Sequence, residues 1–277
     1  MSIRNKIKTA RFFFKPKKII VLCEAYFGAE WMELSLKKLE PYVEKILVVI
    51  GEDTYDNSGI PRENVDEIYG KLSKNNYKYD ILRGRWSSEQ EQQNDALDYI
   101  RRNHKECTHM FKVDTDEIYT PQELRKIKKI IRKPAFFNKI LRVKMYTYIK
   151  TVFHRVCPIE EYCPIAIIPI LPYIYFSGPR QAEGANYAKL DCIMHHFSLV
   201  RKKDESIQTK FKTRGDVKTN QLVDNWYREF YVGFNEEIKD FHTIKGSETQ
   251  WKSIERVAEN KLPKGVPELY ISWDKTT

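Results

Sequence analysis

The hydrophobic pattern of the chain alternates between short apolar runs and segments with helical periodicity. Uninterrupted apolar runs with β-branched members are typical of strands that are buried on both faces of a parallel sheet. Between the first two runs, the apolar residues from Trp31 to Leu39 approximate one face of a helix, which Pro41 ends. The runs that predict such strands are 18–23 in KKIIVLCEA, 45–50 in KILVVI and 108–113 in THMFKV.

Two helix starts are marked by capping signals. Thr120 and Pro121 stand at an expected N-cap and first helical position, and Glu123 completes a capping box. Ser88 and Glu91 form a second pair of this kind ahead of another helix. Turn residues and periodicity also predict a loop at 53–64, a helix near 63–74 and a short strand near 78–82.

This order of elements predicts an α/β fold with a mostly parallel sheet flanked by helices. From about residue 135 the chain becomes rich in aromatic and β-forming residues, which predicts a continuation of the sheet and a further β-rich region. From about residue 200 the sequence is charged and is predicted to be helical. Ligands of such sheets bind at the carboxyl ends of the strands, so polar residues at those ends are candidate site residues.

The composition excludes several classes of protein. The chain has 277 residues, of which 42% are hydrophobic, so it can bury a substantial core. Its five cysteines include no CxxC pair, which argues against a disulfide framework and a zinc knuckle and favours a reducing cytoplasm. We recognise no secretory signal and no apolar window long enough to span a membrane, so a soluble or peripheral protein is expected.

The positive charge is concentrated in two segments. The formal net charge is +10, and the segments 1–18 and 124–144 are rich in Lys and Arg and contain no acidic residue. Such segments favour an anionic partner, for which nucleotide phosphates, nucleic acid and an acidic membrane surface are the alternatives. A solvated helix face is an equally good explanation for either segment taken alone.

An acidic cluster follows the third apolar run. In FKVDTDEIYTP, the residues Asp114, Asp116 and Glu117 come directly after the predicted strand at 108–113. Like charges this close repel one another, and a hard divalent cation such as Mg²⁺ or Mn²⁺ would relieve that repulsion through oxygen ligands. A solvated acidic turn before a helix is the alternative, because the helix dipole also favours Glu117.

The order of these motifs resembles the GT-A glycosyltransferases, especially the family-2-like group. The β-α-β opening, the helix segment EQEQQNDALDYI, the segment HMFKVDTDEIYTP and the later MHHFSLVRKKDESIQTKF carry the resemblance, which covers about residues 18–211. It implies a Rossmann-like GT-A catalytic domain at 18–211, with a donor half at about 18–133 and an acceptor half at about 134–211. A basic arm at 1–17 would precede this domain, and a helical extension at 212–277 would follow it.

The resemblance implies a metal-dependent transfer from a nucleotide-sugar donor. Asp116 would ligate Mn²⁺ or Mg²⁺, and Asp114 would share the metal or contact the ribose. Only one of two adjacent residues on a strand can face a site, and we favour His196 over His195 as a further ligand. The donor-binding residues that the resemblance implies are Glu24, Asp53, Asn94, Asp114, Arg180 and Arg201.

The chain departs from the family pattern at two positions. Cys23 and Glu24 replace the usual pair at the first strand end, which leaves the nucleobase open. Gln93 stands where the family commonly has arginine, and a phosphate contact would then come from another arginine. The candidates for that contact are Arg83, Arg85, Arg180 and Arg201.

The acceptor half offers candidates for a general base. Glu183 and Asp191 lie in GPRQAEGANYAKLD, a segment whose glycines would let it order over bound donor, and Glu183 is favoured. Trp86 and Tyr146 are candidate platforms for a sugar, although aromatic residues this frequent are usually in the core.

Two other functions remain open from the sequence. A nucleotidyltransferase would use a similar sheet, but it usually has an early Gly-rich loop, and CEAYFGAEW contains only Gly28. A non-enzymatic nucleic-acid-binding module would use the basic segments instead. For an enzyme, the acceptor is a glycan or lipid-linked glycan, or a hydroxylated base of nucleic acid such as phage DNA. The expected location is the cytoplasm, that of the host for a viral protein, with peripheral contact to an anionic membrane as a further option.

Overall fold

The computed structural model of the protein describes residues 12–55, 67–68, 70, 72, 79–160, 163–213, 220–242 and 250–274. Most of the basic arm and most of the predicted helix near 63–74 lie outside the described residues. The strands are β1 Ile19–Ala25, β2 Lys45–Gly51, β3 Tyr79–Gly84, β4 His109–Asp114, β5 Glu117–Ile118, β6 Ile140–Ile149, β7 His154–Cys157, β8 Ile165–Pro169, β9 Tyr175–Gly178, β10 Gln181–Glu183, β11 Tyr187–Leu199, β12 Lys239–His242 and β13 Gln250–Arg256. The α-helices are α1 Ala29–Leu39, α2 Glu89–Asn103, α3 Pro121–Ile130, α4 Glu205–Lys212, α5 Asn220–Trp226 and α6 Val266–Asp274.

The predicted fold class is confirmed: the protein is a mixed α/β structure with a large central sheet flanked by helices. The strands β3, β2, β1 and β4 are neighbours in that order and pair in parallel. The sheet continues through β8, which pairs antiparallel to both β4 and β6, while β11 runs parallel to β6. The predicted β-α-β opening is therefore present.

The helices cover both faces of the parallel strands. Residues Ile19, Val21 and Cys23 of β1 belong to the same buried cluster as one side of α1 and α3. The alternate residues Ile20 and Leu22 pack with α2 in a second cluster. Successive side chains of a strand point to opposite faces, so an uninterrupted apolar run fits a strand that is covered on both sides.

The two predicted helix starts are confirmed in detail. The hydroxyl of Thr120 accepts a hydrogen bond from the backbone N–H of Glu123 at 3.2 Å, and Pro121 begins α3. The hydroxyl of Ser88 accepts from the backbone N–H of Glu91 at 3.1 Å, at the start of α2. Each cap satisfies a backbone N–H that would otherwise have no partner within its helix.

The C-terminal segment differs from the expectation of a helical extension. Besides α5 and α6 it contains β12 and β13, and β13 pairs antiparallel with β7 at the end of the large sheet. Residues of α6, including Trp273, pack in a cluster with Trp31 of α1. This segment therefore completes the sheet and part of the core. No helix in the described part of the chain is long and apolar enough to cross a membrane.

A small hairpin lies outside the large sheet and bears on the site. It consists of β9 and β10, which pair antiparallel, and Arg180 lies in the turn between them. Asn94 of α2 holds this hairpin, since its side-chain amide donates to the carbonyl of Phe176 at 2.9 Å and accepts from its N–H at 2.8 Å. The position of Arg180 is therefore tied to α2.

Candidate functional site

The acidic cluster lies at the carboxyl end of β4 and is buried. Glu24 lies beside it near the end of β1, because the two strands pair in parallel with Glu24 opposite Asp114. The side chains of Asp116 and Glu117 are 2% exposed, and that of Asp114 is 32% exposed. The solvated acidic turn that the sequence left open is therefore not what the structure shows.

Backbone contacts fix the turn that carries the cluster. The hydroxyl of Thr115 donates to the carbonyl of Phe27 at 3.0 Å, which ties the turn to the loop between β1 and α1. The N–H of Phe197 donates to the carbonyl of Asp116 at 2.8 Å, and β5 pairs antiparallel with β11. The turn is thus held from both sides by segments distant in the sequence.

Four basic side chains neutralise the carboxylates, and they form what we call the cation set: Lys112, Arg180, Arg201 and Lys210. Asp114 pairs with Lys112 at 2.5 Å through one oxygen and with Arg180 at 2.6 Å through the other. Lys112 also pairs with Glu24, and Arg180 with Glu117. These contacts bring a basic side chain to each of Glu24, Asp114 and Glu117.

Asp116 has its own pair of cations. One of its oxygens lies 2.5 Å from Arg201 Nη2 and 3.0 Å from Lys210 Nζ. Its other oxygen lies 3.6 Å from Nε2 of His196. Arg201 is further held by the carbonyl of Ser198, which accepts from its Nε at 3.1 Å, and it approaches Glu30 at 3.7 Å.

The electrostatics of the cluster separates its carboxyl groups into two kinds. Burial would raise the pKa of Asp114, but Arg180 and Lys112 outweigh it and hold that pKa well below its usual range. Burial would also raise the pKa of Asp116, but Lys210 and Arg201 outweigh it and lower that pKa. For Glu24 and Glu117 burial dominates, and it raises the pKa of Glu24 to about 7 and that of Glu117 to about 8. The two aspartates are therefore the permanent negative charges.

The two adjacent histidines lie on opposite sides of β11. His196 is the one near Asp116, and burial lowers its pKa to about 4, so the imidazole is neutral at neutral pH. His195 instead contacts Tyr148, whose hydroxyl lies 2.8 Å from its Nδ1, and burial also lowers its pKa, to about 3. Only His196 is brought to the carboxylates.

The remaining predicted residues lie apart from the cation set. Asp53 follows β2, is exposed and pairs with Arg85 at 3.2 Å, while Arg83 approaches Glu52. Asn94 holds the β9–β10 hairpin as described above. Glu183 is exposed in β10 and accepts a hydrogen bond from the hydroxyl of Tyr175 at 2.7 Å.

Asp191 is the predicted residue that the structure places least favourably. Its side chain is 89% exposed and pairs with the half-exposed Lys144 at 2.9 Å. A general base needs to lie beside a bound acceptor, whereas this carboxylate is exposed on β11 and already pairs with a lysine. Trp86 is buried and donates to Asp95 at 3.1 Å, and the ring of Tyr146 lies under the guanidinium of Arg155. Neither ring is presented as an open platform.

Two members of the site, Lys112 and Lys210, are not among the candidate residues predicted from the sequence. Lys112 interrupts the apolar run THMFKV and is fully buried, and a lone charge inside such a run was the available signal. Lys210 lies on α4, 94 residues after the aspartate that it contacts. No local pattern indicates that pairing.

The carboxylates, as they are arranged, do not fit a divalent cation. Both oxygens of Asp114 and one oxygen of Asp116 are engaged by ammonium or guanidinium groups. Among the described residues, no group of three or more His, Cys, Asp or Glu side chains is placed so that it could hold a metal ion. The expected Mn²⁺ or Mg²⁺ stays a prediction.

Two buried acceptor oxygens border the same site. Within the described residues, Oε1 of Glu24 and Oε1 of Gln93 have no hydrogen-bond partner, although both side chains are almost completely buried. Nε2 of Gln93 lies 3.3 Å from the other oxygen of Glu24. Buried acceptors without a donor are costly, so a ligand that brings hydroxyl or amino donors would be favoured beside them.

Comparisons with known proteins give little further information about the function of this site. No protein family model and no curated protein matches the chain. Among solved structures, one 4-diphosphocytidyl-2C-methyl-D-erythritol synthase is 9% identical with a TM-score of 0.38, over 56% of this chain and 76% of the other. The synthase of that name from Anaerococcus prevotii DSM 20548 is 13% identical with a TM-score of 0.33, over 76% of this chain and 83% of the other. The function is therefore inferred from the residues of the site.

Proposed function

We propose that this protein is a glycosyltransferase that takes its sugar from a nucleoside diphosphate donor. The observation that carries the proposal is the convergence of the cation set on Asp114 and Asp116 at the carboxyl edge of the parallel strands. Ligands of open α/β sheets bind at that edge. Arginine and lysine are the side chains that recognise phosphate oxygens, arginine through paired hydrogen bonds.

The same residues suit the chemistry of sugar transfer. When the bond between the sugar and the diphosphate breaks, negative charge increases on the departing phosphate oxygens. Hydrogen-bond donors that the fold already holds around that charge stabilise the transition state more than the ground state. Arg180 and Lys210 are the members of the cation set with partly exposed side chains, so they are placed to contact the phosphates first.

Glu24 and Gln93 are proposed to recognise the nucleoside. Their unpaired acceptor oxygens lie at the end of β1 and would accept hydrogen bonds from ribose hydroxyls or from an amino group of the base. Since the amide oxygen of Gln93 only accepts hydrogen bonds, a nucleoside that presented only acceptors there would be disfavoured. The identity of the base thus depends on which donors reach these two oxygens.

Nucleotidyl transfer is a second candidate, favoured by the loop between β1 and α1. Gly28 has a left-handed conformation with φ of 104° and lies against Arg201. A glycine backbone beside a guanidinium at the start of a helix is also suited to a triphosphate. This reaction would release pyrophosphate, whereas sugar transfer would release a nucleoside diphosphate.

The acceptor is proposed to be a hydroxyl of a glycan or lipid-linked glycan. A hydroxylated base of DNA is the alternative for the same chemistry, since the basic residues of α3 and the segment after it could bind a phosphate backbone. Binding to nucleic acid would weaken steeply as salt increases, which distinguishes the two acceptors.

The test is to identify the released product. Purified protein is incubated with a panel of nucleoside diphosphate sugars and, separately, with nucleoside triphosphates, and nucleoside diphosphate and pyrophosphate are measured. We expect release of a nucleoside diphosphate from one sugar nucleotide, with water taking the sugar when no other acceptor is present. We expect a loss of more than tenfold in Asp116→Asn, which removes the charge that holds Arg201 and Lys210. Pyrophosphate release from a triphosphate would establish the second candidate, and binding of DNA without turnover of any donor would refute both.

A further inference from the structure

The two aspartates that resemble a metal motif already have a full complement of positive partners. Asp114 contacts Lys112 at 2.5 Å and Arg180 at 2.6 Å, and Asp116 contacts Arg201 at 2.5 Å and Lys210 at 3.0 Å. Each aspartate is therefore paired with two cations rather than with neutral donors. A divalent ion that entered would have to displace at least one of them.

Displacement would be costly because two of these cations cannot turn to solvent. The side chain of Lys112 is completely buried and that of Arg201 is 1% exposed. A buried charge that loses its partner strongly destabilises a protein. The metal would need to offset that cost before it contributed anything to donor binding.

The backbone around the site is shaped to hold these cations. A Cβ at position 28 would overlap Nη1 of Arg201 and would lie 3.1 Å from Oγ1 of Thr115, so Gly28 leaves the space that the guanidinium fills. Arg180 has a positive φ of 56°, which is uncommon for a residue with a side chain. In this conformation its guanidinium reaches Asp114 and Glu117 from the hairpin turn.

The four cations come from four different elements and contact two aspartates of the same turn, Asp114 and Asp116. Lys112 lies on β4, Arg180 in the β9–β10 turn, Arg201 just after β11 and Lys210 on α4. Arg180 and Lys210 reach the turn from the hairpin and from α4 and are 12% and 11% exposed, whereas Lys112 on β4 is completely buried. That arrangement supplies the positive charge that a diphosphate requires.

We infer that Arg180, Arg201 and Lys210 bind the diphosphate of the donor directly and that this binding requires no divalent metal. This inference depends on the proposed function and specifies how its site recognises the donor. Asp114 and Asp116 are then positioning residues, which hold the cations in place instead of ligating a metal. Phosphate oxygens take over part of the hydrogen bonding of the cations when the donor binds.

The experiment measures nucleotide binding rather than turnover. The protein is titrated calorimetrically with UDP, GDP, CDP, ADP and dTDP, first in EDTA and then with Mn²⁺. We expect one of these nucleotides to bind in EDTA, with a Kd that Mn²⁺ changes by less than about threefold.

A matched pair of variants on α4 identifies the residues responsible. Lys210 pairs with Asp116, whereas Lys212, two residues later, pairs with Asp224 at 2.6 Å on the other side of the helix. We expect Lys210→Gln to weaken binding in EDTA about ten- to a hundredfold, as the loss of a charge-assisted contact does, and Lys212→Gln to leave it unchanged. Arg180→Gln is a second test in the hairpin, and circular dichroism checks that each variant folds.

The outcomes separate the inference from the proposed function. Binding that occurs only with Mn²⁺ would overturn the inference and leave the glycosyltransferase proposal intact. Equal weakening by Lys210→Gln and Lys212→Gln would also overturn it, because a general charge effect would then explain the loss. If no nucleoside diphosphate binds with or without metal, both the inference and the proposed function fail.

Discussion

Lys112→Met provides the most direct test of the electrostatics of the site. The side chain of Lys112 is completely buried and lies between two carboxylates, at 2.5 Å from Asp114 and in direct contact with Glu24, whose side chain is 6% exposed. Burial would lower the pKa of Lys112, but Asp114 and Glu24 outweigh it and the pKa is raised, so the side chain is charged. Methionine keeps most of the volume and removes only the ammonium group.

The expected loss of stability follows from the partners that the two carboxylates keep in this variant. Asp114 still has Arg180, but Glu24 loses its cationic partner inside the protein. A buried carboxylate in that state costs about 3–5 kcal/mol where it stays ionised, so for Glu24 the unfolding is measured above a pH of about 7, the pKa that burial gives this group. For a chain of this size the corresponding decrease in Tm is about 10 °C.

A double-mutant cycle separates charge from packing. Urea unfolding followed by circular dichroism gives the free energy of unfolding of the wild type, Lys112→Met, Glu24→Gln and the double variant. Since glutamine carries no charge, we expect the double variant to recover at least about 1 kcal/mol relative to Lys112→Met alone. A loss of less than about 1 kcal/mol in Lys112→Met, or no recovery in the double variant, would refute the argument that this ammonium neutralises the buried carboxylates.

Three further predictions concern the elements that support the site. Gly28→Ala is expected to lower the free energy of unfolding by about 1–3 kcal/mol and to weaken nucleotide binding, because φ is 104° and a Cβ would collide with Arg201. Its control is Gly70→Ala, in a helical stretch with open space at that position. This variant should be neutral or stabilising in thermal unfolding. Asn94→Ala removes two hydrogen bonds to Phe176, so a loss of about 2 kcal/mol and weaker nucleotide binding through Arg180 are expected, whereas Asn103→Ala on the same helix should change neither in calorimetry. Burial lowers the pKa of His109 to about 3 from its ordinary value of 6.5, so the unfolded chain binds more protons between those values and stability decreases as pH decreases from about 6.5. In His109→Gln that contribution is absent, and the stability difference from the wild type should shrink by about 1.4 kcal/mol for each pH unit below 6 in urea titrations; a constant difference would contradict the assignment.

The helix starts and the buried strands could be predicted because they depend on short-range physics. The cap of Thr120 involves a hydroxyl and an N–H only three residues apart, so the sequence specifies both partners. An apolar run such as that of β1 has to be covered on both faces wherever it lies, which already implies helices on either side of a sheet. The position of the acidic cluster at the end of β4 follows from the same pattern.

The strands of the C-terminal segment were not predictable in the same way. β13 joins the large sheet between β12 and β7 because β7 offers it backbone partners there. Whether a charged segment such as QWKSIER becomes a strand or a helix depends on that neighbouring edge, since β propensity is strongly dependent on context.

By itself, the sequence determined that this protein is an α/β structure with a buried parallel sheet and with Asp114 and Asp116 at the carboxyl end of a strand. Only the tertiary structure decided which side chains neutralise their charge. Arg180, Arg201 and Lys210 lie 66, 85 and 94 residues away from the aspartates that they contact. The physical reason is that hydrophobic periodicity records which face of an element is buried, whereas a Coulombic contact between distant residues exists only once the packing of whole elements has brought the charges together.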